Sequence, residues 1–291
     1  MKRYIILILC VLSLLVACDR NESNDTAIQS NTEELLAYNE LLSELHQYNS
    51  SYGIETRAGG KFWKKLGWIA LCDLGGYALP FFLGAPSNVL GMFLGVISSM
   101  GAFVDAVIDT RSNEFNDQFV LGKEELYFDL PISDIHDCDS AGYWHNLIIN
   151  DIYEMDSVSF YTYSSDQLTS VVETAVLNYF PAFEIPDDAY SKFEDFRELL
   201  LTFENQSIEE TFQGLIIAYP EFSQELRIIQ AYCEAINELD DEKIPDYSTG
   251  FRQVVIDSKI SDQSKQTIRS TISVAGSSKL LWSDSSAQLD L

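Results

Sequence analysis

The chain has 291 residues, 46% of them hydrophobic, with 45 Asp and Glu against 18 Lys and Arg and a formal net charge of −27. That acidity excludes a general nucleic-acid-binding surface, which needs a basic face to displace counterions. The apolar content excludes a wholly disordered chain, and the length suits one large domain or two small ones.

Residues 1–17 begin with MKRY and continue into an apolar run over 5–16 that ends in LVA before Cys18. This is the n-region and h-region of a secretory signal, too short to remain as a spanning helix. The LVAC ending resembles a bacterial lipobox: an aliphatic residue three before the Cys, small residues beside it, then the Cys. That resemblance implies diacylglycerol on the Cys18 thiol, cleavage before Cys18 and acylation of the new amino group, with palmitate as the typical chain. The alternative is an ordinary cleaved signal with an incidental Cys. Several acyl chains, at about 0.8 kcal/mol per buried CH₂, hold a protein on a bilayer where a single chain does not. Residues 18–32, beginning CDRNESND, are polar and predict a flexible tether. Their acidic start resembles the export tags of surface lipoproteins in the Bacteroidota and favours the outer membrane, although Asp19 also reads as an inner-membrane retention signal.

Residues 33–291 are expected to form one mainly α-helical domain with at most a minor β element. Asn31 and Glu34 have capping-box spacing, and the helix they open sets Leu35, Leu42, Leu45 and Tyr48 near one face, widened by Leu36 and Leu41. A loop follows over 50–60, carrying Arg57. Residues 61–110 are Gly-rich and apolar, and 74–104 hold no charged side chain. Pro80 and Pro86 predict a helical hairpin there, with helices at 61–78 and 87–110 around an irregular bend. Residues 111–138 read as an acidic loop region in which FVLGKEELYFDL suits a short hairpin. VSFYTY, 158–163, has strand composition.

From 139 onward the pattern is helical and amphipathic. A helix over 140–155 takes Asp139 or Ser140 as its cap. Over 165–180, Leu168, Val171, Val172, Ala175, Val176 and Tyr179 share a face. Ser191-x-x-Glu194 and Ser207-x-x-Glu210 are spaced as capping boxes for two more helices. Phe193, Phe196, Leu199 and Leu200 face inward on the first, and Pro220 ends the second. Phe222, Leu226, Ile229, Cys233 and Ile236 mark a further helix over 222–239, and two last helices run at about 246–258 and 261–282.

Enzyme signatures are missing from the sequence: no GxSxG, Walker A, HExxH or GxGxxG occurs. No catalytic residue, cofactor or metal is therefore expected, and the chain reads as a non-enzyme. The densest polar cluster is ISDIHDCDSAGYWHN, 132–146. A calcium loop starting at Asp137 fails because Ala141 and Ile148 stand where ligands are needed. A zinc site would need His136, Cys138 and His145 to converge, and the plainer reading is an acidic turn leading into a helix. Cys72, Cys138 and Cys233 form no disulfide framework, although an oxidising compartment admits one bridge among them, with the pair left open by the sequence.

The run GYWHNLIINDI, 142–152, is similar to a Gly-x-x-His-Asn helix start in a loose group of Bacteroidota lipoproteins of unknown function, and SVAGSSKLLW, 273–282, is similar to their ending. This resemblance implies a habitat in the cell envelope but no activity. It makes Gly142, His145 and Asn146 the candidate binding residues; alternatively His145 and Asn146 satisfy buried backbone groups at a helix seam.

The uncharged stretch admits three readings. It is the core of a helical domain whose role is to be presented from a lipid anchor. It is a membrane-active hairpin of the pore-forming or bacteriocin-like kind, led by the cationic, Trp-bearing KFWKKLGWIAL. Or it floors a groove for a peptide or lipid partner. Asp73 and Asp105 bracket it as water-facing boundaries would, and Gly91-x-x-x-Gly95 suits close helix contact in a membrane or a core.

Overall fold

Glycines set the centre of the molecule. In the computed structural model the helices α2 (Leu66–Phe82) and α3 (Asn88–Thr110) run antiparallel in close contact. A β-carbon on Gly91 would stand 2.7 Å from the Tyr77 carbonyl oxygen, and one on Gly76 would stand 2.6 Å from that of Leu94. Only residues without a side chain let two backbones meet this closely. The structure describes residues 32–54, 66–82, 87–110, 137–203 and 206–287. The signal, Cys18, the tether as far as residue 31 with the expected cap Asn31, Arg57, the cationic segment 61–65, Pro86, Asp134, His136 and the expected hairpin near 119–130 lie outside them; residue 32, expected in the tether, is helical.

The described residues form ten helices and no strand, as the hydrophobic periodicity predicts. The first, α1, spans 32–51. After the hairpin come α4 (Ala141–Met155), α5 (Ser165–Tyr179), α6 (Ala189–Leu201), α7 (Ile208–Ala218), α8 (Ser223–Glu238), α9 (Ile244–Asp257) and α10 (Asp262–Ala287). One continuous buried cluster takes residues from all ten. The long α10 is the hub: it packs on α2 and α4 along one side and on α8 and α9 along the other. Helix α5 covers α3, and α6 covers α2. Helix α1 is held to the far layer through Tyr38, which donates to the buried Glu225 of α8, and through Asn49, which donates to the Ala231 carbonyl at 3.3 Å.

Several expectations need correction. Helix α2 runs on to Phe82 with Pro80 inside its last turn. Proline there forfeits one hydrogen bond near a helix end, too little to break the helix. On α1 the buried residues are Ala37, Tyr38, Leu41, Leu45 and Asn49, while Leu35 and Leu36 are exposed. The polar Asn49 and small Ala37 follow the helical spacing that the leucines alone obscure. Residues 159–161 form a short 3₁₀ turn rather than a strand. Ser140 holds the N-cap position of α4, as one of the two expected residues, but its side chain makes no cap bond; Asp137 caps the 3₁₀ turn 138–140 ahead of it, accepting from the Asp139 N–H at 3.0 Å. Helix α6 begins at Ala189, so Ser191 lies inside it and donates to the Asp188 carbonyl. The Ser207–Glu210 capping box forms fully. A second box at Ser164 and Gln167 opens α5.

Candidate functional site

The GYWHN segment docks on α10 in register. Gly142 is close enough to the Ser273 backbone that a methyl group would overlap its carbonyl. Its N–H, one of the donors that a helix start leaves without an internal partner, donates to Ser273 Oγ at 3.1 Å. Ser273 Oγ in turn donates to the Asp139 carbonyl at 2.8 Å. One turn later, Asn146 Nδ2 donates to the Ser277 carbonyl at 2.9 Å. The positions 142 and 146 thus match 273 and 277, so the two helices run parallel along this seam.

That contact orients the imidazole. With Asn146 Nδ2 on Ser277, Asn146 Oδ1 is left to accept, and His145 Nδ1 lies 2.9 Å from it. The proton of a neutral His145 is therefore on Nδ1, and Nε2 presents a lone pair. It faces Asp73 Oδ2 of α2 at 3.8 Å. Ser278 of α10 donates to that same carboxyl oxygen. Trp282 Nε1 closes the site by donating to Ser99 Oγ of α3 at 3.1 Å. Asp73, His145, Asn146, Ser99 and Ser278 are each wholly buried.

Burial sets the charge state. Desolvation pushes the Asp73 carboxyl from its ordinary 3.8 up to about 8, although donors at Ser278, Ser99 and Trp282 pull the other way. Desolvation lowers His145 from 6.5 to about 4, against the pull of Asn146 and the Gly95 carbonyl toward protonation. At neutral pH the pair holds one proton, on Asp73, and is uncharged. Asp73 is thus no water-facing boundary of the apolar stretch; it is the polar centre of the core. The side chain of Asp105 lies outside the described residues.

Ser278, Asp73 and His145 are the residue types of a hydrolytic triad, but their order is wrong for one. The serine gives its hydrogen to the carboxyl instead of the imidazole, and no solvent reaches any of the three. Gly142, His145 and Asn146 lie in a sealed helix seam, where Gly142 and Asn146 bond to α10 while His145 Nε2 makes no hydrogen bond.

Two surface features remain. Asp137, Cys138 and Asp139 offer ligand atoms within 4.8 Å of one another. However, Arg269 holds both oxygens of Asp139 (Nε–Oδ1 3.1 Å), and Arg252 stands 3.8 Å away. Burial pushes the Cys138 thiol up to about 11. Cations already neutralise this cluster, and the thiol that a metal needs deprotonated is held protonated. Secondly, a cleft of about 60 Å³ opens between α5 and α6, with Cys72 and Gly101 of the hairpin among the residues at its floor and Glu194 and Arg197 at its mouth. Cys72 and Asp73 are adjacent in sequence, one toward the cleft and the other in the seam. No spacing rule in the sequence marks this cleft, because its residues come from four helices.

No protein-family model, curated protein or solved structure matches this chain.

Proposed function

We propose that the chain is a lipid-anchored protein of the bacterial cell envelope that presents a helical domain, with Cys18 as the attachment atom. The observation that supports this most is the sealing of Asp73. A hairpin pinned through a buried carboxyl to Ser278 serves as the core of its own domain. Membrane attachment then falls to the N-terminal lipid. Among the described residues no helix is long and apolar enough to cross a membrane. The membrane-active reading would require α2 and α3 to leave the cover of α4, α5, α6 and α10.

The test is metabolic labelling with a palmitate analogue in a bacterial host. The wild-type chain should take up label and sediment with membranes, outer membranes in particular. Cys18→Ser should lose the label and be released. Persistent sedimentation and labelling of Cys18→Ser would overturn the assignment.

A second reading, a binding protein on the envelope, is favoured by the cleft between α5 and α6. The domain would then display that opening from its tether.

A further inference from the structure

The cleft exposes a face of the hairpin built from small residues. Cys72 of α2 and Gly101 and Ala102 of α3 leave the space, and Leu168 of α5 with Phe193 and Leu200 of α6 wall it. Its volume of about 60 Å³ is less than half that of the cavity of about 150 Å³ that takes benzene. It suits a small aliphatic side chain and is too little for a long acyl chain.

The mouth carries one charge of each sign. Arg197 Nη1 lies 3.4 Å from Glu194 Oε2, with both side chains substantially in solvent. Such a pair contributes little to stability and parts at little cost. Opposite charges at that spacing, set above an apolar hole, complement a ligand whose ammonium and carboxylate are equally close together. The chain's charge of −27 weighs against an anion and is neutral toward a zwitterion. It repels an anionic ligand and draws a cation to any acidic surface, while it leaves a zwitterion to be selected by the site itself.

We infer that the cleft binds a free aliphatic α-amino acid of about the size of leucine. The side chain fills the hole, the carboxylate meets Arg197 and the ammonium meets Glu194. This rests on the binding-protein reading and is independent of the anchor.

Isothermal titration with L-leucine tests it on the whole processed chain, in lipid nanodiscs if the protein carries lipid and in plain buffer if it does not. Saturable binding at one site is expected. Arg197→Ala and Glu194→Ala, on an exposed helix face, should each weaken it about tenfold or more. Gly101→Leu should abolish it by filling the hole; the added β-carbon meets only Leu168 Cδ2, at 3.8 Å. Isovalerate and isoamylamine, each lacking one charge, should bind about tenfold more weakly or worse. The inference is overturned if leucine gives no saturable heat at about 10 mM, or if either single-charge analogue binds as well as leucine. Undiminished binding in Gly101→Leu also overturns it, as does a Leu-Gly dipeptide matching leucine, which would make the partner a peptide N-terminus.

Discussion

Replacing Asp73 by Asn tests the placement of the core proton. The amide keeps the shape of a protonated carboxyl: its oxygen, in the place of Oδ2, accepts from Ser278, and its Nδ2 takes the place of Oδ1. What it removes is titration. The folded-state pKa of Asp73 is raised, from 3.8 to about 8, so its contribution to stability is full at low pH and is lost as pH rises through 8. That of His145 is depressed, from 6.5 to about 4, so its contribution is present above 6.5 and is lost as pH falls through 4. Between pH 4 and 6.5 the two slopes cancel. The unfolded pair holds its one proton on the imidazole, and the folded pair holds its one proton on the carboxyl. Between pH 6.5 and 8 only the folded pair keeps a proton. Wild type should therefore lose about 1.4 kcal/mol per pH unit at this site, about 2 kcal/mol over the window. Asp73→Asn should lose nothing there. Urea unfolding of both proteins at pH 6, 7 and 8 provides the measurement, since the difference between them removes every other titrating group. Curves that keep a constant separation across that range would mean that Asp73 is ionised in the fold, and the proton assignment would fail.

Other changes probe the packing. Gly142→Ala should destabilise the protein by about 3 kcal/mol or more in denaturant unfolding, because the methyl meets the Ser273 backbone, which has no flexible end to move aside. Gly101→Ala puts a β-carbon in ordinary contact with Leu168 on a helical backbone, so it should be neutral or stabilising by up to about 1 kcal/mol. Tyr38→Phe leaves the buried Glu225 and Ser264 without their phenol partner and should cost about 1–3 kcal/mol, read as a lower urea midpoint. Burial pushes the Cys138 thiol to about 11 and raises that of Cys233, so both should react with a thiol-specific disulfide reagent at pH 8 only as fast as the protein unfolds. Reaction with Cys138 or Cys233 in the native state faster than unfolding would contradict their burial.

The helical class was legible because most helices after 139 carry their core on a regular apolar stripe, as Leu168, Val172 and Val176 do on α5. The Ser207 box was legible because its two partners are three residues apart. What escaped depends on partners remote in sequence. The inward face of α10 holds Thr267, Ser270, Thr271, Ser273, Ser277 and Ser278, which hydropathy places outside. Their small size lets α4 and α2 approach, and hydroxyls such as that of Thr271, bonded to the Thr267 carbonyl, turn back on their own helix. Asp73 misled for the same reason. A lone carboxylate at the edge of an apolar run reads as a water boundary unless its partners are known, and those lie on α4 and α10. The three cysteines are likewise buried and not disulfide-bonded.

The position of α10 has a consequence for how the chain comes to be folded. Asp73 and Ser278 are 205 residues apart, and the helix that covers the hairpin is among the last to be made. At ribosomal rates of roughly 5–20 residues per second, α2 and α3 are made about ten to forty seconds before α10, which closes the side that carries Asp73. For that time a nearly uncharged, glycine-rich surface with a bare carboxyl lies open, and the contacts that close it carry a large loop-closure cost. Newborn chains should depend on a holding chaperone through this interval. Ribosome stalling before residue 262 should leave the nascent domain sensitive to protease across α2 and α3.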